Sequence, residues 1–198
     1  MTREHDDVVE SLAGVCERLG VACVVQVGAE DGYEADCLSV MIGCRAVAID
    51  ADPSCNPVSK LLEYHRYIIG ATDCKTNFYP NFTHGLSSTL SRKDKSEYLL
   101  ENEQQYRLDT FCTMNDIKPD CLIIDTEGTT LDVLEGCGDL LDNVKVIYAE
   151  CQSHNLRPGV RPVTQVDEFL SARGFTQHLG PPSYSAGQVQ GNYTWVRT

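Results

Sequence analysis

Short apolar runs alternate with amphipathic stretches along most of the chain. Over residues 4–19, Val8, Leu12, Val15 and Leu19 recur at spacings of four, three and four. That predicts a helix with one apolar face. Glu4, Asp6 and Asp7 lie near its positive end, and Gly20 is placed to stop it. Residues 21–27 are nearly continuously apolar, too short for a helix and rich in β-branched side chains. Such a run suits a strand buried on both faces. Gly28-Ala29-Glu30-Asp31-Gly32 punctuates it, and a helical stretch follows to about Ile42.

The alternation repeats. Ala46-Val47-Ala48-Ile49 reads as a second strand ending in Asp50-Ala51-Asp52-Pro53, and Pro53 suits the start of a helix to about Tyr64. Arg66-Tyr67-Ile68-Ile69 reads as a third strand. Residues 73–104 are polar and irregular, with Phe78, Tyr79 and Phe82 embedded. A helix is expected over 108–115. Cys121-Leu122-Ile123-Ile124 reads as a fourth strand, followed by Asp125-Thr126-Glu127-Gly128 and a helix lined by Leu131, Leu134 and Cys137 or Leu141. Residues 144–149 form a fifth strand ending in Glu150. Beyond a polar loop, 152–161, with His154 and Arg157, Val166, Phe169 and Leu170 mark another helix. Thr164 and Asp167 are spaced as its capping pair, and Gly174 as its stop. Residues 175–179 and 192–196 then pair around a Pro/Gly/Ser loop, 180–191. This order predicts an α/β fold: a parallel sheet with helices on both faces and one antiparallel strand at the end.

A chain of 198 residues allows one domain. Asp and Glu number 29 against 16 Lys and Arg, a formal net charge of −13. A polyanion would be repelled, because nucleic-acid affinity comes from Lys and Arg neutralising phosphates. The densest basic patch is Arg92, Lys93 and Lys95, interrupted by Asp94. The charge is compatible with a cationic ligand. No apolar run approaches the roughly 18–20 residues of a membrane span. None of the ten cysteines forms C-x-x-C, so a structural zinc site is not expected. The acidic N-terminus has no apolar core, and free thiols in a reducing cytoplasm are expected.

Ligands of open α/β sheets bind beyond the carboxyl ends of the strands. After the first strand, Gly28-x-x-x-Gly32 allows a tight turn but matches neither a dinucleotide fingerprint nor a P-loop. After the second, Asp50 stands where an acid can accept both hydroxyls of a ribose; capping before Pro53 is the plainer alternative. Asp125, Glu127 and Glu150 converge at neighbouring strand ends. They can position a hydroxyl, take its proton or hold a hard cation. Helix capping would account for Asp125 and Glu127 but not readily for Glu150.

Residues 25–32, Val-Gln-Val-Gly-Ala-Glu-Asp-Gly, resemble the first motif of S-adenosylmethionine (SAM)-dependent methyltransferases. Leu108-Asp109-Thr110-Phe111, Ile124-Asp125-Thr126-Glu127-Gly128, Val133-Leu134-Glu135-Gly136 and Ile147-Tyr148-Ala149-Glu150 resemble, in order and spacing, the FkbM-type methyltransferases. The resemblance runs over roughly residues 20–198, to a closing Gly191-Asn192-Tyr193-Thr194-Trp195-Val196. It implies a Rossmann-like class I methyltransferase fold with seven strands, the last antiparallel. It implies SAM as cofactor and methyl transfer to oxygen of a sugar or other small metabolite. Gly28, Ala29, Glu30, Gly32, Asp50, Ala51 and Asp73 would serve the cofactor. Asp125 or Glu127 would act as base, with His154 as a second candidate. Segments 73–104, with Ser87-Ser88, and 152–161 would border the acceptor. A divalent cation on Asp125, Glu127 and Glu150 is not favoured at this stage. Thr129-Thr130 departs from the family's more usual Ala-Glu. Two other classes remain. Asp50-Ala51-Asp52 is also the D-x-D of metal-dependent nucleotide-sugar glycosyltransferases, and a methyltransferase fold can persist as a binding protein without turnover.

Overall fold

The computed structural model of the chain describes residues 3–81, 87–91, 98–152, 157–179 and 190–198. His154, Phe82, the basic trio Arg92, Lys93 and Lys95, and the connection 180–189 lie outside them. In chain order the elements are α1 (Arg3–Arg18), β1 (Cys23–Val27), α2 (Tyr33–Ile42), β2 (Arg45–Ile49), β3 (Glu63–His65), β4 (Ile68–Ile69), β5 (Cys74–Phe78), β6 (Leu100–Tyr106), α3 (Leu108–Met114), β7 (Cys121–Ile124), α4 (Thr130–Glu135), a 3-10 helix (Gly138–Asn143), β8 (Val146–Gln152), α5 (Val163–Ser171), β9 (Phe175–Leu179) and β10 (Gln190–Arg197).

Seven strands form one sheet in the order β3-β2-β1-β7-β8-β10-β9. All neighbours are parallel except β10, which runs antiparallel to both β8 and β9. Helices cover both faces, as the alternation predicts. Leu12, Ala13 and Cys16 of α1 and Leu38 of α2 pack against Val24, Cys121, Ile123 and Val146. On the opposite face Leu108, Phe111, Leu134, Val166 and Leu170 pack against Val25, Leu122, Ile124 and Ile147. Every residue of β1 and β7 is buried, the signature of parallel strands sandwiched between helices. Trp195 is fully buried in β10, and its indole Nε1–H donates to Asp167 Oδ1 at 2.9 Å. All ten cysteines are free. No helix among the described residues is long and apolar enough to cross a membrane.

The structure departs from the pattern in four places. The buried stripe of α1 includes Val9, Leu12, Ala13, Val15 and Cys16, whereas Leu19 lies beyond the helix and is 38% exposed. No helix follows Pro53. The Asp52 carboxylate captures the Ser54 amide and hydroxyl at 2.8 and 2.6 Å, and Val58 N–H bonds to Asp31 O. Pro57, without an N–H, disfavours a helical ladder there, and the segment ends in the short strand β3. Segment 73–104 is not irregular throughout: β5 and β6 form an antiparallel hairpin that with β4 makes a second, three-stranded sheet. Finally, β8 extends to Gln152, so Glu150 lies inside the strand, and Asp167 serves Trp195 rather than capping α5.

Candidate active site

Strand addition reverses at β1: the chain adds β2 and β3 on one side, then β7 and β8 on the other. The crevice beyond the carboxyl end of β1 is therefore where a ligand belongs. A cleft of about 530 Å³ opens there. Its lining combines Asp50, Asp52 and Asp125, the hydroxyl residues Ser87, Ser88, Thr89, Thr126 and Thr129, and the apolar or aromatic residues Tyr67, Ile68, Ile69 and Phe78.

The turn after β1 is built for close approach. Gly28 has φ 72°, and a Cβ on it would stand 1.7 Å from the Asp125 carbonyl oxygen. Only glycine lets the turns after β1 and β7 touch. Gly32 serves packing in the same way, since a Cβ there would meet Leu62 Cδ2 at 2.3 Å. Ala29 is buried against Ala35, Ala46, Ala48 and Leu62. Neither Ala29 nor Gly32 lines the cleft, whereas Gly28, Glu30, Asp50 and Ala51 do. Asp73 also lies off the cleft lining. It accepts from Arg107 N–H at 2.8 Å and Thr110 Oγ1 at 2.9 Å, at the start of α3.

Asp50 is fixed at the end of β2. Its Oδ2 accepts the Glu30 amide and its Oδ1 the Asp52 amide, both at 2.7 Å. Glu30 takes the left-handed φ of 51° that this requires, and its carbonyl accepts the Tyr64 hydroxyl at 2.6 Å. Burial pushes Asp50 up to about 6, against the pull of those two amides. Asp52 behaves differently. Burial would raise it, but hydrogen bonds from Ser54, Ser87 and the Asn81 amide hold it below its ordinary value. That carboxylate is 1% exposed and ties Asn81 and Ser87 to the end of β2.

At the ends of β7 and β8 the carboxylates face one another. Oxygens of Asp125, Glu127 and Glu150 all lie within 4.8 Å. Asp125 reaches solvent through the cleft although protein surrounds it on most sides. Burial first, then the charges of Glu150, Glu127 and Glu34, drives Asp125 well above the ordinary carboxylate range. Burial and Glu127 push Glu150 up to about 7, and Asp125 and Glu150 hydrogen-bond to each other. Glu127 has φ 51°, is 8% exposed and is absent from the cleft lining; its carbonyl accepts the Ser88 hydroxyl at 3.2 Å. Leu90 and Val160 close over Gly128, and Arg157, 1% exposed, joins the two segments by donating to Leu90 O.

The sequence pattern did not single out Glu34 or Gln152 for this site. Glu34 is oriented by Gln26, whose Nε2 donates to it at 2.8 Å. An amide in the middle of an apolar strand was the available signal. Gln152 was assigned to a loop, but it ends β8 on the face of Glu150, with Nε2 3.4 Å from Glu127 Oε2.

A family model described as the methyltransferase FkbM domain matches residues 26–176. A search of curated protein sequences finds no significant match. Among solved structures, the chain is similar to the O-methyltransferase TomG from Streptomyces achromogenes in complex with SAM (15% identity, TM-score 0.53, 97% of this chain and 80% of that one). It is similar to an O-methyltransferase from Bacillus cereus in complex with SAH (14%, 0.53, 100% and 82%). It is also similar to magnesium protoporphyrin IX methyltransferase from Synechocystis with bound SAM (12%, 0.52, 98% and 80%). At these identities the likeness is one of fold.

Proposed function

Because the chain belongs to the FkbM methyltransferase family, we propose that it transfers a methyl group from SAM to a hydroxyl of a sugar or other small metabolite. The observation that carries this reading is that Asp50 and Asp125 line one cleft on either side of the Gly28 turn. The donor set suits SAM: carboxylates for ribose hydroxyls and a sulfonium cation, and Ile68, Ile69 and Phe78 for an apolar base. The solved relatives with SAM or SAH bound share this fold. Bound SAM supplies an electrophilic methyl group on a positively charged sulfur.

The chain's own residues do the rest. Asp50, held by two backbone amides, accepts the ribose hydroxyls with its remaining lone pairs. Glu30 and Ala51 border the same cleft, Ala29 and Gly32 pack behind the turn, and Asp73 holds the start of α3 rather than the cofactor. Asp125 faces the cleft and takes the acceptor's proton late in the transfer, where alignment of the reacting atoms is the enzyme's main task. Asp125 is favoured over Glu127 because Asp125 lines the cleft, whereas Glu127 is buried and does not. The hydroxyls of Ser87, Ser88, Thr89, Thr126 and Thr129 along the cleft support a polyhydroxyl acceptor, bound by a single catalytic unit. The glycosyltransferase reading loses support because Asp52, its second metal ligand, is committed to Ser54 and Ser87.

Calorimetric titration with S-adenosylhomocysteine (SAH) tests this. Micromolar binding, about −8 kcal/mol, is expected for the wild type, with at least about a tenfold loss in Asp50→Ala, roughly 1.4 kcal/mol. Since Asp50 protonates near 6, wild-type affinity should weaken as pH drops below that value, and the variant's should not follow. A wild type that does not bind SAH would remove the methyltransferase reading.

A further inference from the structure

We propose that Cys16 and Cys121 form a peroxide-sensitive pair that closes to a disulfide and staples α1 to the start of β7. Two observations carry this. The first is contact. The two Sγ atoms lie 3.8 Å apart, in the one hydrogen bond between two sulfurs among the described residues. A disulfide needs about 2.05 Å, so each sulfur has to move by about 0.9 Å.

The second is where the contact sits. Cys16 is in the last turn of α1, and Cys121 opens β7, 105 positions further along the chain. Both are fully buried between the helix and the sheet, among Leu12, Val24, Leu38 and Val146. Helix α1 lies outside residues 26–176, the part matched by the family model. The contact therefore joins an added helix to the strand whose other end carries Asp125. Packing alone would be served by any small apolar pair. What two thiols add is a bond they can form. The neighbouring Cys121 thiol holds Cys16 below its ordinary value, against burial, so Cys16 supplies the thiolate.

The oxidant is a hydroperoxide, with hydrogen peroxide as the simplest case. The Cys16 thiolate attacks one peroxide oxygen. An S–O bond forms, the O–O bond breaks, and hydroxide leaves and takes up the thiol's proton as water. The resulting sulfenic acid is attacked by the Cys121 sulfur. The S–S bond forms, the S–O bond breaks, and the second hydroxide leaves with the Cys121 proton as a second water. Two thiols are oxidised by two electrons, and one peroxide is reduced to two waters. Because both thiols are buried, peroxide reaches them when the end of α1 lifts, and the disulfide then holds the helix down.

The test treats the full chain with hydrogen peroxide, alkylates the remaining thiols in denaturant, and maps unreduced peptides by fragmentation mass spectrometry. A linked pair holding Cys16 and Cys121 is expected. The urea midpoint should rise, because the bond restricts a long stretch of the unfolded chain, and dithiothreitol should reverse the rise. Cys121→Ser, checked for folding by circular dichroism, should show neither change and should leave Cys16 as a sulfenic acid that dimedone traps. Three results would overturn the proposal. One is Cys16 and Cys121 both still alkylated after peroxide. Another is Cys16 linked to Cys44, which shares the same core cluster. The third is a linked pair with an unchanged or lowered midpoint, which would mean that the bond strains the contact instead of stapling the helix. The proposal does not rest on the methyl-transfer reading, which SAH titration of the untreated chain decides separately.

Discussion

At the end of β2, Asp50 and Asp52 are met by backbone amides and hydroxyls; at the ends of β7 and β8, oxygens of Asp125, Glu127 and Glu150 lie within 4.8 Å of one another. The first pair shows what local donors accomplish. Asp52 is nearly inaccessible yet stays below the ordinary carboxylate range, because Ser54, Ser87 and the Asn81 amide stabilise its charge. In the second group, at equivalent positions of the same sheet, Asp125 and Glu150 are driven upward, because burial and neighbouring carboxylates oppose ionisation. A carboxylate satisfied by its own chain is structural, however catalytic its motif looks. Asp125 and Glu150, brought together against burial and like charge, favour holding a proton, which is the property a base at this site needs.

The largest effect expected from breaking this contrast is at Asp125. Asp125→Asn preserves shape but removes the proton acceptor. Methyl transfer from labelled SAM to a panel of methyl glycosides should fall by about 10²–10⁴-fold, with SAH affinity changed by less than about threefold. Turnover within tenfold of wild type would mean the base lies elsewhere. Asp52→Ala should act oppositely, on stability more than chemistry. It removes the acceptor of the Ser54 and Ser87 hydroxyls and the Ser54 amide. The cost should be roughly 2–3 kcal/mol, read as a lower urea midpoint. An unchanged midpoint would return Asp52 to the list of ligand-binding residues.

The half of the molecule built from buried parallel strands was legible because burial on both faces writes itself as apolar runs. Residues 23–27, 45–49 and 121–124 declare their strands, and the punctuation after each places the cleft. Apart from the strand at Ile68–Ile69, the segment 53–106 was not legible, for the converse reason. Strands β5 and β6 are mostly exposed, reading Cys-Lys-Thr-Asn-Phe and Leu-Glu-Asn-Glu-Gln-Gln-Tyr, with no apolar period to mark them. Pro53 signalled a helix start, but Asp52 and Pro57 together overrode it. The candidate site was legible in kind and not in division of labour. Sequence placed Asp125 and Glu127 two residues apart and gave no reason to separate them. The backbone turns left-handed at Glu127 and Gly128, and of the two acids Glu127 is buried while Asp125 lines the cleft.

The smallest effect is the most diagnostic, because its sign differs from that at Asp52. Burial lifts Glu150 from an ordinary 4.5 to about 7 in the folded chain. Between those values the unfolded chain releases a proton that the folded chain keeps, so stability falls as pH rises through the window. Glu150→Gln removes that penalty. In EDTA at pH 7.5 the variant should be more stable than wild type by on the order of 1 kcal/mol, after allowance for solvent screening. The gap should close toward pH 4.5, where Glu150 is protonated in both states. Urea midpoints at the two pH values measure it. A variant less stable than wild type at pH 7.5 would mean that Glu150 is supported by its surroundings as Asp52 is, and the contrast between the two strand ends would fail.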